Sequence, residues 1–317
     1  MTTTPPEADG LLLVDKPSGV TSFAVVAEVR RRYRVRQVGH AGTLDPLASG
    51  LLVVLVGEAT KVTHWTMGLP KLYLGTVRLG SATDSYDAAG KTTRTVDASA
   101  IDEAKVRAAL PAFVGRVRQR PPAFSALKRD GQPLYKEARR TAAAGGDVGA
   151  IDAGEREVDI HAIDLIDFAF PDVSLRIHCG KGTYIRSLAH DLGLALGSAA
   201  HLSALRRLRI GGFDVAAATP LAALARDPPP LLPLEAAVAH LPGLAFDAAV
   251  EARVRMGQQE VLAELPIPDG LVGPLRLHAE GGRLVAIAEP AAEGSGRRLD
   301  LARVFRAAAA PRGTLEG

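Results

Sequence analysis

One short stretch of this chain holds a carboxylate and an imidazole in a loop that cannot be regular. Residues 38–50 read VGHAGTLDPLASG. Three glycines, a proline and small side chains exclude a helix or an unbroken strand, so His40 and Asp45 are presented from irregular backbone. Loops held by a rigid scaffold are where catalytic groups tend to sit. A plain Asp–Pro turn with Asp45 capping its own backbone fits the same spacing, and from spacing alone it is the stronger reading. The other candidates fall away. Cys179, the single cysteine, follows His178, and neighbours on a strand face opposite ways, so they cannot meet as thiolate and base. Residues 180–183 (GKGT) and 90–92 (GKT) lack the earlier glycine of a phosphate-binding P-loop. No dinucleotide fingerprint follows a strand, and the eight histidines show no zinc-like spacing with Cys or Glu.

Several elements could position that loop. Residues 10–15 are an apolar burst ending in a KPSG turn, which reads as a strand. Ser22 can cap a helix over 23–33, with Val25, Val26 and Val29 on one stripe. The β-branched run 51–56 predicts a buried strand, and 72–79 alternates as another. Helical spacing covers 101–113, 133–140 and 185–196, the last strongly amphipathic. Residues 158–170 and 173–177 pair as strands turning near Pro171. Because strands and helices alternate irregularly, the pattern predicts an α+β fold with a mixed sheet and flanking helices, not a doubly wound one. Residues 141–154 (TAAAGGDVGAIDAG) read as a flexible surface insertion. Beyond about residue 241 the chain becomes strand-like, predicting a small β-rich domain over 241–317 after a larger one over 10–240.

A chain of 317 residues with 47% hydrophobic content can bury a full core. One cysteine excludes an intramolecular disulfide and suits the reducing cytoplasm. No apolar run reaches bilayer-crossing length, and MTTTPPEADG lacks the apolar stretch of a secretory signal, so residues 1–9 are expected to be a disordered lead-in. Net charge is +3, but nine of the 38 basic and ten of the 35 acidic residues lie beyond 240, leaving 29 against 25 before it. The basic residues bunch at Arg30, Arg31, Arg32, Arg34 and Arg36, at Arg116, Arg118 and Arg120, and at Arg206, Arg207 and Arg209. Such clusters attract a polyanion, although any one of them alone reads as a solvated face.

The loop belongs to a longer series. GHAGTLDPLASGLL (39–52), GEATK (57–61), KLY (71–73), LGSATDSYDAAG (79–90), RPPAFSALK (120–128), GKGTYIRSLAHDLG (180–193) and LRRLRIGGF (205–213) occur in order. Together they resemble the bacterial tRNA pseudouridine-55 synthase family, TruB, over about residues 10–215. The resemblance implies the pseudouridine synthase fold, a largely antiparallel mixed sheet with flanking helices, followed by a small PUA-like RNA-binding β-barrel. It implies that Asp45 is the nucleophile that breaks a uridine C–N glycosidic bond, after which the uracil turns and rejoins through C5. Attack at C1′, attack at C6 and ribose proton abstraction to a glycal all remain open. A uracil anion is a tolerable leaving group, so no metal or cofactor is expected. Arg186 resembles the arginine paired with the aspartate, favouring its ionised form. Tyr73 resembles the tyrosine that stacks on the target base. Tyr184 and Leu205 resemble pocket-lining residues, His40 the residue filling the gap left by the flipped nucleotide, and Lys61 a site residue of structural or electrostatic role. Arg206, Arg207 and Lys128 are the expected RNA-gripping residues. The expected partner is the T-arm stem-loop of tRNA, bound by a monomer with no guide RNA, obligatory protein partner or membrane. A tRNA-folding chaperone without essential catalysis would use the same binding residues. Phe124, where tyrosine is usual, Cys179, where a small or polar residue is, and the longer 141–154 segment depart from the family pattern.

Overall fold

The computed structural model describes residues 8–306 except 126, 130, 225, 227, 267–272 and 292–298. The chain opens with β1 (Gly10–Lys16) and α1 (Ser22–Tyr33), then returns through β2 (Val38–His40) into β3 (Ser49–Val56). A 3-10 turn and α2 (Thr63–Gly68) lead to β4 (Lys71–Leu79) and to a two-stranded arm of β5 (Ser81–Thr83) and β6 (Thr92–Thr95). Next come α3 (Glu103–Ala109), β7 (Gly115–Gln119), the small hairpin of β8 (Lys128–Arg129) and β9 (Gln132–Pro133), and α4 (Leu134–Ala143). The long hairpin of β10 (Arg156–Ala169) and β11 (Asp172–Cys179) runs into α5 (Ile185–Ala195) and β12 (Ala200–Ile210). Short β13 (Phe213–Asp214), β14 (Thr219–Pro220) and α6 (Leu221–Leu224) precede β15 (Gly243–Phe246), α7 (Ala248–Arg255), β16 (Leu275–Ala279), β17 (Leu284–Pro290) and β18 (Leu299–Val304).

The ten-stranded main sheet runs β14-β1-β3-β12-β4-β11-β10-β7, with β2 beside β3 and β13 beside β12. Only β1–β14 and β3–β12 are parallel, which is the mixed, largely antiparallel sheet expected. Its register follows from β3. Leu51 through Val56 are fully buried, because alternate side chains feed two different cores. Leu52, Val54 and Val56 pack with Val25 and Val29 of α1. Leu51, Val53 and Leu55 pack with Trp65 and Leu69. A third core joins β4, β11 and β12 to Ile185, Leu188 and Leu192 of α5. Thr21, not Ser22, caps α1, accepting a hydrogen bond from the Ala24 N–H at 3.1 Å. Ser22 is buried and has another task, described below.

Three expectations change. The C-terminal strands form an open four-stranded sheet, β15-β16-β17-β18, and among the described residues no barrel closes. Closure would require the two outer strands to bond each other. Here the sheet is instead covered by packing on its neighbours, since Leu284, Ile287 and Phe305 join Leu11, Leu51 and Trp65 in one apolar cluster. Second, the 141–154 segment carries structure. It begins as the end of α4, continues through a 3-10 turn at Val148–Ala150, and buries Val148 against Ala123 and Ala138. Third, residues 1–7 lie outside the described residues, but Asp9 accepts the Glu58 N–H at 2.7 Å and so is tied to the domain.

Asp191 on α5 offers a stability test. Burial pushes its carboxyl up to about 6. A carboxylate whose pKa is raised on folding holds its proton more tightly in the native state, so its contribution falls as pH rises from about 4 to 6. Asp191→Asn should therefore gain roughly 2 kcal/mol over wild type at pH 7 and nothing near pH 3.5, as read from urea unfolding at both pH values.

Candidate active site

Asp45 sits in the loop between β2 and β3, and the backbone on both sides of it is held from elsewhere. The buried Ser22 hydroxyl donates to the Leu44 carbonyl and accepts the Leu44 N–H, both at 2.9 Å. Ser18 Oγ donates to the Leu47 carbonyl at 2.8 Å, and the Gly19 N–H donates to the Pro46 carbonyl at 2.7 Å. The turn after β1 and the start of α1 thus clamp residues 44–47. Farther back in the loop, Arg207 of β12 donates from Nη2 to the Gly42 carbonyl at 2.9 Å and from Nε to Leu51 at 2.8 Å. At Gly50 a Cβ would stand 2.2 Å from the Arg207 carbonyl, and φ is +100°, so only glycine lets β3 leave the loop this close to β12.

The Asp45 carboxylate meets Arg186 Nε at 2.8 Å. Arg186 lies on the first turn of α5, its side chain 6% exposed against 37% for Asp45. The rest of the guanidinium is fixed by the Ser85 carbonyl at 3.1 Å and the Phe124 carbonyl at 3.0 Å. Asp87 is a second carboxylate, 3.7 Å from Arg186 Nε. It is itself held by Ser85 Oγ at 2.6 Å and the Ala89 N–H at 3.0 Å. One buried cation therefore joins the catalytic-type loop, the β5–β6 arm and the 120–125 segment. The arrangement leaves one carboxylate fixed by the guanidinium and open on one side. That open side faces a cleft of about 650 Å³ lined also by His40, Lys91, Phe124, Tyr135 and Arg139.

Beneath the loop lies a group of buried cations that sequence patterns did not reveal. Arg207 is 1% exposed, Lys16 0% and Lys71 7%. Lys16 Nζ donates to the Pro17 and Val20 carbonyls, and Lys71 Nζ to those of Met67 and Leu69. Burial pushes Lys16 down to about 8, with Asp45 opposing and Arg207 adding to the shift. Burial likewise pushes Lys71 down to about 8, helped by Arg207. Tyr73 on β4 is nearly covered, packed in the core with Leu44 and Leu205. Burial raises its phenol above the ordinary value even though Arg207 favours the phenolate. Cys179 is buried and its thiol is pushed up by burial to about 11, which suits a core residue.

The other expected residues scatter more widely. His40 lines the cleft, with Nδ1 buried and unpartnered, and burial, then Arg207, lowers its imidazole pKa. Tyr184 precedes α5, where its backbone exchanges hydrogen bonds with the Gln119 side chain; burial raises its phenol, with Ser125 and Arg186 opposing. Leu205 is partly buried against the Tyr73 core. Lys61 is engaged elsewhere, pairing with Glu58 at 2.6 Å and donating to the Val304 carbonyl at 3.1 Å. Arg207, expected at the RNA surface beside Arg206, is the internal brace just described, because adjacent strand residues face opposite sides. Arg206 is partly exposed and bound to both oxygens of Asp15 at 3.0 and 2.8 Å. The Lys128 side chain lies outside the described residues. The arginine clusters are largely paired: Arg31 and Arg32 with Glu28, Arg116 with Asp159, Arg118 with Glu155 and Arg120 with Asp152.

Asp87, Ser22 and Lys16 were missed as site residues. Asp87 stood within a quoted motif, yet nothing in its spacing marks it from Asp84. The geometry yields a test at Arg186. Lysine keeps the charge but cannot reach Asp45 and both carbonyls at once, so Arg186→Lys should lower single-turnover conversion by about 100-fold, near 3 kcal/mol of barrier, with RNA affinity within a few-fold of wild type.

Comparison with known proteins gives these residues their setting. Residues 30–185 match the TruB family pseudouridylate synthase (N terminal domain), and residues 186–228 match the tRNA pseudouridylate synthase B C-terminal domain. The chain is 43% identical over 289 residues to the tRNA pseudouridine synthase B of Xanthomonas oryzae pv. oryzae, covering 87% of this chain and 92% of that protein. It is 45% identical over 294 residues to the protein of the same name from Burkholderia pseudomallei, covering 90% and 94%. Among solved structures, a Cbf5-Nop10-Gar1 complex aligns with TM-score 0.70 at 28% identity over 94% of this chain and 85% of that one. The archaeal box H/ACA sRNP Nop10-Cbf5 complex aligns with TM-score 0.67 at 25% identity, over 94% and 86%. With Asp45 and Arg186 both inside the matched residues, the chain belongs to the TruB family of pseudouridylate synthases.

Proposed function

We propose that this protein converts the T-loop uridine at position 55 of tRNA to pseudouridine in the cytoplasm, acting alone and without cofactor. The observation that carries the reading is the 2.8 Å contact between a buried Arg186 and a half-open Asp45 beside a cleft with room for an extruded nucleotide. A base inside a helix is out of reach of such a carboxylate, so the nucleotide must leave the stack before its glycosidic bond can be attacked. In this reading Asp45 supplies the nucleophile and Arg186 holds it aimed through the 2.8 Å contact. Tyr73 lies beneath the base, and His40 occupies the space the nucleotide vacates. The curated relatives that cover most of the chain at 43–45% identity are named tRNA pseudouridine synthase B, which supports tRNA as substrate over the sRNP setting named for the more distant archaeal Nop10-Cbf5 structure. The C-terminal sheet, as a PUA-type auxiliary grip on RNA, belongs to the same proposal.

The test is pseudouridine formation in an unmodified tRNA transcript, mapped by position, with chelator present and no guide RNA. Wild type should convert the T-loop uridine, and Asp45→Asn should bind the transcript but form no product. Folding of the transcript by both proteins, with conversion by neither, would leave an RNA chaperone instead.

Binding should also weaken steeply with salt, since phosphate contacts release counterions. Lys91 and Arg139 line the cleft and have no carboxylate partner among the described residues. Replacing either with Ala should reduce the slope of log affinity against log salt by about 0.7–0.9, measured by filter binding. An unchanged slope would remove that side chain from the phosphate contacts.

A further inference from the structure

Phe23 is 72% exposed, more than any other exposed large hydrophobic among the described residues, and the only one of them that lines the cleft. Single apolar side chains on a surface are ordinary. This one is set apart by where it is and by how firmly it is held. It follows Ser22, whose hydroxyl is bonded to both backbone groups of Leu44, so the Phe23 backbone is referenced to the residue beside Asp45. Thr21 caps the same helix end through the Ala24 N–H. The same cleft holds Lys91 and the exposed Arg139, which lies over the Tyr135 ring with its Cζ 5.3 Å from the centroid. An open aromatic face in one cleft with cations that lack a carboxylate partner among the described residues is what single-stranded nucleic acid requires, a surface for a base and charges for its phosphates. The cleft also exceeds the needs of one pyrimidine, and bases of an RNA loop splay out to stack on aromatic side chains.

We infer that Phe23 is a stacking platform for the nucleobase next to the target uridine. The inference rests on the proposed reading of the site, and it adds a contact that reads the presence of a neighbouring base, not its identity, because every base offers a π face. It also couples binding to geometry. A loop whose neighbouring base cannot reach Phe23 would enter the cleft without this anchor.

The test combines protein and RNA truncation. T-arm stem-loops, intact or abasic at the nucleotide on either side of the target, are bound to wild type, Phe23→Ala and Phe23→Trp. Phe23→Ala should weaken binding of intact RNA by roughly 5- to 150-fold, and Phe23→Trp should bind as wild type. With the RNA abasic at the stacked nucleotide, wild type should lose the same factor and Phe23→Ala should lose little more. Equal affinity of wild type and Phe23→Ala for intact RNA would overturn the inference, as would an undiminished Phe23→Ala effect on both abasic RNAs. Because the ring is mostly in water, the thermal midpoint of Phe23→Ala should match wild type, which separates lost contact from lost fold. Wild-type conversion of the intact stem-loop keeps the two readings apart. Without it the functional reading fails, whereas conversion with no Phe23 effect defeats only the stacking.

Discussion

A guanidinium with its side chain 6% exposed sets the terms for the whole catalytic half. Taking such a charge out of water costs several kcal/mol unless opposite charge and acceptors surround it. Arg186 has two carboxylates and two carbonyls, and these come from three separate parts of the chain. Asp45 arrives on the loop before β3, Asp87 and Ser85 on the β5–β6 arm, and Phe124 on the segment after β7. None of the three could shift alone without leaving the cation short of a partner. The requirement that stabilises Arg186 therefore also assembles the cleft wall, and the Asp45 carboxylate is held there by that need for compensation as well as by the clamps on its loop.

The same logic recurs one layer down with less compensation. Arg207, Lys16 and Lys71 are bonded chiefly to carbonyls, and their charges push on one another. Asp45 is the carboxylate that opposes this at Lys16. The floor of the site is thus electropositive, and its lysines have lost part of their hold on the proton. An environment of that sign stabilises negative charge placed above it. It also explains why Arg207 braces Gly42. A residue that must stay buried and charged is a rigid post from which to hang the loop.

Much of this frame was legible. The unbroken run at 51–56 predicted a buried strand, and it proved to divide two cores. Residues 72–79 alternated and fall within β4, with Tyr73 and Val77 inward. The amphipathic 185–196 segment became α5. What escaped was set by parity and partners rather than by local pattern. Arg206 and Arg207 are adjacent and identical in type, and only the register of β12, with Arg207 opposite Tyr73 and Gly50, decides which turns inward. The arginines of β7 look like a polyanion patch until β10 brings Asp159 opposite Arg116. Ser22 looked like a cap because Ser is a good one, but Thr21 beside it is as able, and the buried Leu44 backbone claimed the serine.

The C-terminal sheet shows the same limit at the scale of domains. Its strands were readable one by one, and the strand-like sequence beyond about 241 predicted a small β-rich domain. Its contacts tie it to the larger domain. Trp65 Nε1 donates to Glu289 at 2.9 Å, and Lys61 reaches the Val304 carbonyl at 3.1 Å. Ile287 and Phe305 share a core with Leu51 and Leu55 of β3. The odd-numbered face of β3 is thus closed in part by the C-terminal strands, and β3 is the strand that leaves the Asp45 loop. Removing that sheet would expose apolar surface directly behind the site, at about 25 cal/mol for each Å² uncovered. Through those contacts the C-terminal sheet backs the strand that leaves the loop carrying Asp45.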